Sequence, residues 1–462
     1  MNKCRQIWLF FLLFIAMTLD AMHFSMAAPF FPTNAKAKGV SHALIGFINA
    51  CDAVSFGLAA LLVTIMPTHN YMKSLYCSGL AVFAVCFCLF GLMGLRSEGD
   101  WIYVSVLAVN NAILGAVSGV VFVVVVPLVS GIIPNSFTTV VSIIQASLGL
   151  GFALGPALGS LLYELGGFAL PFLFIGISMG IVAVFSIISL QSIRDATTDP
   201  VEGGEQSLET SPEPDDMNDV STSPSFQQIG DTNCISFIWF LRNLNFWKIS
   251  LCIINAFSLF GFRDTFMALF MQTEMGISND STIAHIFLAA AGGWIFSVLL
   301  VGFLCKHNLG GEYLQTYSGT VFFVTLASPP FVVFLIVLSS YFEQLQNVWW
   351  AGVLLLLINF IQAGVAAPGL LVLKRNAIND MGTERQSNLN EVNNSRIELL
   401  ASGMFQVMRS IGRAVGMFIF GGFVVDLVDE KRAVLVYLTT SLLLSIINIA
   451  FFVTKPKIWK SN

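Results

Sequence analysis

The residues in this 462-residue chain that could do chemistry are a few ionisable side chains set deep inside long apolar stretches. Asp20 stands within residues 7–29, an apolar run long enough to cross a bilayer. At about 1.5 Å per residue it lies ~20 Å from the start of that run, near the hydrocarbon centre. An ionisable group at such a depth costs about 2.5–3.5 kcal/mol on insertion scales, so a chain that keeps one there uses it to bind a cation or carry a proton. His23 shares a helical face with Asp20 and fits either a proton relay or a plain hydrogen-bonded histidine. Asp52 fits a proton carrier or half of a structural ion pair, and Asp264 fits a cavity acid or a structural one. Arg263, next to Asp264, is expected to point to another face, because neighbours on an α-helix do not meet. Arg409 and Arg413, at i and i+4, share a face, and each needs a carboxylate or cavity water. No Cys/His spacing suits a metal and no nucleophile or nucleotide-binding constellation is present. An enzyme, a cofactor and a nucleic-acid partner are therefore not expected.

The elements that must hold these residues are membrane helices. Hydrophobic residues make up 56% of the chain and charged residues 11%, against about 25% charged in soluble domains. The apolar excess recurs along the whole chain, and a soluble fold of this length has no core large enough to enclose it. Twelve spans are expected: 7–31, 43–66, 74–95, 102–128, 140–163 and 168–190, then 249–271, 283–304, 317–341, 349–373, 400–424 and 433–453. The predicted fold is thus all-α and integral to the membrane, with six-helix halves over 1–190 and 246–462. The first span is not read as a cleaved signal peptide, because it is too long and Pro29 and Pro32 stand where a cleavage site would be.

Residues 191–245 between the halves read as an acidic, disordered cytoplasmic linker. Residues 191–235 hold ten acidic residues and one basic, Arg194, so the remainder of the chain is net basic despite the overall charge of −5. With both termini cytoplasmic, about 14 Lys and Arg fall on that side and about 5 on the other, the expected bias. The eight cysteines then lie in spans or on the cytoplasmic side, and no disulfide is expected. The sequon Asn279-Asp280-Ser281 faces outward, only a few residues from a membrane end.

Span five carries Gly151, Gly155 and Gly159 at every fourth position, with Pro156 beside the middle one. Such a stripe lets a neighbouring helix approach backbone to backbone. The segment resembles the antiporter motif of the major facilitator superfamily, with Ser142 and Ser160 at the motif's outer glycine positions. Gly412, Gly416 and Gly421-Gly422 in span eleven echo the spacing, as two related halves would. Thr18-Leu-Asp20 followed by Pro29-Phe-Phe-Pro32 resembles the first span of vesicular amine transporters. Residues 28–32, 39–46 and Gly261-Phe-Arg-Asp264 resemble the vesicular polyamine branch.

The resemblance implies a major facilitator fold and alternating access by two halves rocking about a midplane site. It implies that Asp20 pairs with a substrate ammonium, that Asp264 is a second cavity acid, and that His23, Asp52, Arg409 and Arg413 serve coupling or gating. Because spans two and eleven run side by side in that fold, Asp52 and Arg413 are expected to pair, at about 14 and 17 Å from the same membrane face. Asp264 is the alternative partner of Arg413. The chain departs from the family in having no Asp in the loop between spans two and three, Asn110 where span four carries an Arg, and no carboxylate in spans ten and eleven, with Gln406 near one of those positions. The expected function is transport of a small organic solute, a cationic amine or polyamine exchanged for protons, by a monomer in a vesicle, endolysosomal or plasma membrane. The alternatives are a facilitative carrier and a non-transporting receptor or scaffold.

Overall fold

The computed structural model describes residues 3–66, 71–96, 99–132, 137–198, 244–277, 279–306, 329–339, 341–361, 373 and 391–453. Most of the acidic linker, and much of spans nine and ten, lie outside the described residues. Among the described residues all regular structure is helical: α1 (Lys3–Met26), α2 (Phe31–Ala37), α3 (His42–Ile65), α4 (Met72–Met93), α5 (Trp101–Ile132), α6 (Phe137–Gly166) and α7 (Ala169–Thr198). Then come α8 (Leu244–Phe262), a π-helical stretch (Arg263–Met267), α9 (Ala268–Thr273), α10 (Asp280–Lys306), α11 (Pro329–Ser339) and α12 (Val348–Ile361). The last are α13 (Glu391–Ala414), a second π-helical stretch (Val415–Phe423), α14 (Val424–Val428) and α15 (Glu430–Val453).

Eight helical segments among these residues are long and apolar enough to cross a membrane, and they coincide with expected spans one to seven and eleven. Spans eight and twelve fall on α10 and α15, and spans nine and ten on the shorter apolar helices α11 and α12. The perimeter is apolar: Leu58, Val85, Val109, Ile177 and Phe296 are all more than half exposed. So much outward-facing hydrocarbon suits lipid and not water.

The glycine stripe sets the packing within each half. A Cβ at Gly155 would collide with Ser25 Oγ, and one at Gly159 would come within 2.8 Å of the Met26 carbonyl oxygen, so α6 lies directly against α1. Helix α6 runs unbroken through Pro156. In the second half a Cβ at Gly416 would meet the Phe262 backbone nitrogen at 2.8 Å, which puts the span-eleven helix against α8. The expected correspondence of the two halves is present in this pairing.

Between the halves, α3 lies along α13 and the π-helical stretch that follows it. A Cβ at Gly57 would meet Ser410 Cβ at 2.8 Å, and one at Gly46 would meet Gly422 Cα at 3.1 Å. At the end of the bundle where α1 passes into α2 and α3, a latch joins them. Asp426 accepts hydrogen bonds from the backbone N–H groups of Ala43 (2.7 Å) and His42 (3.2 Å), at the first turn of α3. Those N–H groups have no partner inside their own helix, and the dipole there favours a carboxylate. Lys36 and Glu430 sit 3.7 Å apart beside it, and Thr33 donates to Gln272 at 3.3 Å. Asp426→Ala is expected to weaken the latch by about 0.5–2 kcal/mol, the range for losing a helix cap. Spin labels at the exposed positions Leu95 and Leu427 should then populate longer distances, and an unchanged distribution would show that the latch carries no load.

Candidate functional site

The ionisable residues of the apolar spans converge between the halves, and most meet at one cavity. That cavity is about 50 Å³ and is lined by His23, Asn49, Asp52, Asn111, Asp264 and Arg413 on its polar side. Phe24, Phe31, Phe87, Phe90 and Phe172 form the aromatic side. Such a volume holds a few waters and is well below the ~300–1,000 Å³ of small-molecule pockets.

Arg413 Nη2 lies 3.3 Å from Asp52 Oδ2, the pairing that the resemblance implies and the depth of the two residues allows. It joins α3 to α13, one residue from each half. His23 Nε2 stands 3.6 Å from the other Asp52 oxygen, Oδ1. The His23 ring is held by Phe24 at 4.5 Å and, edge to face, by Phe83 and Phe87 at 5.5 Å. Asp20 and His23, expected on one face, thus diverge: the histidine turns to α3, while Asp20 accepts a hydrogen bond from Ser118 of α5. Asp20 is 1% exposed and does not line the cavity.

Arg263 corrects one expectation. It does not turn away from Asp264 but bonds it, through Nη2 at 2.6 Å and Nε at 2.9 Å, and donates Nη1 to Asn359 of α12. The π-helical stretch begins at Arg263, and its wider turn reduces the rotation between successive side chains. The Arg263 guanidinium carbon lies over the Phe260 ring, 4.0 Å from its centre. Asp264 is thereby supplied within its own half, which leaves Arg413 to Asp52.

Arg409, which the sequence expects to find a carboxylate or water, is 3% exposed and donates to Gln406 Oε1 at 3.4 Å. It is surrounded by the rings of Phe257, Phe122 and Phe24 at 5.3, 5.5 and 5.9 Å. Asn110, at the place of the family's span-four arginine, ties α5 to α4 by donating to the Cys86 carbonyl at 3.0 Å. Its neighbour Asn111 donates to the Ile48 carbonyl at 3.1 Å and lines the cavity. The sequence did not single out Ser118, Asn111 or Asn359. Each is a polar residue inside an apolar run, which is the signal that could have found it.

A helical bundle with an apolar perimeter and an interior cavity lined by His23, Asp52, Asp264 and Arg413 suits an integral membrane carrier. The chain belongs to the Major Facilitator Superfamily, whose family model matches residues 13–387. It is 25% identical over 418 residues to the MFS-type transporter SLC18B1 of Mus musculus, covering 89% of this chain and 79% of that protein. Its likeness to the Homo sapiens protein of the same name is 24% over 421 residues, with the same coverage. Among solved structures it resembles the nucleoside transporter NupG, with a TM-score of 0.63 at 13% identity over 98% of this chain and 99% of that one. A point mutant of NupG gives a TM-score of 0.60 over 97% and 100%. These likenesses fix the fold: this is a multi-pass membrane protein and a transporter of a small solute.

Proposed function

We propose that the chain moves a cationic amine or polyamine across the membrane in exchange for protons, by alternating access of its two halves. The observation that carries this reading is Asp20, a buried carboxylate whose Oδ2 has no hydrogen-bond partner among the described residues. A carboxylate kept at that depth without a paired arginine is matched by a ligand ammonium. The resemblance of residues 18–32 to the first span of vesicular amine transporters supports the same role. Asp264 serves as a second cavity acid, and His23, Asp52, Arg409 and Arg413 couple or gate. Protonation of Asp52 would release Arg413 and loosen the halves, linking proton movement to the change of access. Both termini and the acidic linker face the cytoplasm, in a vesicle, endolysosomal or plasma membrane, and the working unit is a monomer.

A facilitative carrier is the second reading. Asn110 in place of the family's arginine favours it, as does the lack of carboxylates in spans ten and eleven. Uptake into proteoliposomes, with and without an imposed pH gradient and across a panel of amines and anions, separates the two. Gradient-dependent uptake of a cation is expected. Equal uptake without the gradient selects the facilitative carrier, and no uptake of any solute selects a receptor or scaffold.

A further inference from the structure

The buried charge of the described residues is balanced before any solute enters. Among the described residues the buried charged side chains are the carboxylates Asp20, Asp52 and Asp264 and the guanidinium groups Arg263, Arg409 and Arg413. Four of the six are already paired, Asp52 with Arg413 and Asp264 with Arg263. Asp20 and Arg409 are left over, and no ion pair joins either to a described residue. Asp20 Oδ2 has no partner among the described residues, and neither do Arg409 Nε and Nη2.

The position of the two unmet donors on Arg409 is informative. Nη1 is the nitrogen that reaches Gln406, so the free groups are Nε and Nη2, on one edge of the guanidinium. That edge offers two parallel N–H bonds matched to the two oxygens of a carboxylate. An arginine does not lose its proton in a protein, so these donors cannot be silenced by titration. The three phenylalanine rings around Arg409 attract its charge but leave the in-plane N–H groups unmet.

Neither Asp20 nor Arg409 lines the cavity, and Phe24 stands beside Arg409 at its wall. Its ring centre is 4.2 Å from the Arg413 guanidinium carbon and 5.9 Å from that of Arg409, and it also lines the cavity. The acids that line the cavity, Asp52 and Asp264, are occupied by arginines, whereas Asp20 and Arg409, outside its lining, keep unmet polar atoms.

We propose that the solute is an amine that also carries a carboxylate, a zwitterion of the amino-acid type. Its ammonium binds Asp20 Oδ2 and its carboxylate binds the Nε–Nη2 edge of Arg409. The proposal rests on the reading of Asp20 as the partner of a solute ammonium, and it changes the substrate class from a cation to a zwitterion. A zwitterion leaves the buried charge at zero, whereas a dicationic polyamine would leave two uncompensated positive charges in a low-dielectric interior. Arg409 then acts in specificity, choosing amino acids over their decarboxylated amines.

The test uses the purified full-length chain in detergent, with ligand-induced thermal stabilisation as the readout. The probes are two pairs that differ only by the carboxylate, ornithine with putrescine and tyrosine with tyramine. At least one amino acid is expected to bind the wild-type chain at least about tenfold more tightly than its amine, the scale of a charge-assisted hydrogen bond. Arg409→Gln should abolish that preference, and Asp20→Asn should weaken both members of the pair. If Arg409→Gln does not fold, Arg409→Lys keeps the charge without the two-bond edge and should lose the preference as well. Amines that bind as tightly as the amino acids, or a preference that survives both Arg409 variants, would overturn the proposal. The amine reading of Asp20 would still stand in that case if Asp20→Asn removed amine binding. Failure of every probe to stabilise the wild-type chain would overturn both.

Discussion

Asp52→Arg and Arg413→Asp are each expected to impair the transporter severely, and the double swap is expected to recover at least part of the loss. Both side chains are buried, at 5% and 2% exposure, and joined at 3.3 Å across the boundary between the halves. Breaking one side of a buried pair leaves an uncompensated charge and costs about 3–5 kcal/mol. Each single reversal does more than that, because it sets two like charges together. Asp52→Arg would also face His23, and Arg413→Asp would face Asp264 across the cavity. For that reason the double variant should recover only part of the stability and of the transport that the single variants lose. A double swap no better than the worse single change would remove this pairing and make Asp264 the partner that matters to Arg413.

Asp20→Asn is expected to leave the fold intact and to weaken binding of a cationic solute by at least ~30-fold, the lower end of the cost of removing one member of a buried charge pair. The substitution keeps the shape of the side chain, and Ser118 can still donate to the amide oxygen. It also removes a buried charge, so insertion should not suffer. Thermal stability near that of the wild type with lost amine binding would place Asp20 at the substrate. Normal amine binding in Asp20→Asn would make the residue structural and take away the main support for an amine substrate.

The parts of the site legible in the sequence were those set by depth and by helical period. Asp20 stood out because an acid in mid-span is costly, and the stripe Gly151, Gly155, Gly159 because four-residue spacing gives one smooth face. The Asp52–Arg413 contact was one of two pairings expected for Arg413, from matching depths and from the side-by-side placement of spans two and eleven that the resemblance implies; Asp264 was the other partner. What stayed hidden depends on backbone detail or on tertiary neighbours. The Arg263–Asp264 bond needs the π-helical stretch, which leaves the apolar pattern of the span unchanged. The contact of Phe24 with both guanidinium groups was invisible because it is one of 42 phenylalanines, and only its position beside Arg409 and Arg413 distinguishes it. Asp426 reads in the sequence as an ordinary acid at a membrane end. Its bonds to the first turn of α3 arise only when the two halves meet.

Carriage itself is tested most directly by counterflow, because exchange of labelled for unlabelled solute requires no coupling ion. Proteoliposomes containing the wild-type chain would be preloaded with an unlabelled amine or amino acid and diluted into the labelled compound. Alternating access around Asp20 predicts transient accumulation of label that depends on the preloaded solute and disappears in Asp20→Asn. Absence of counterflow for every amine and amino acid in wild-type vesicles, or equal counterflow in the Asp20→Asn vesicles, would contradict it.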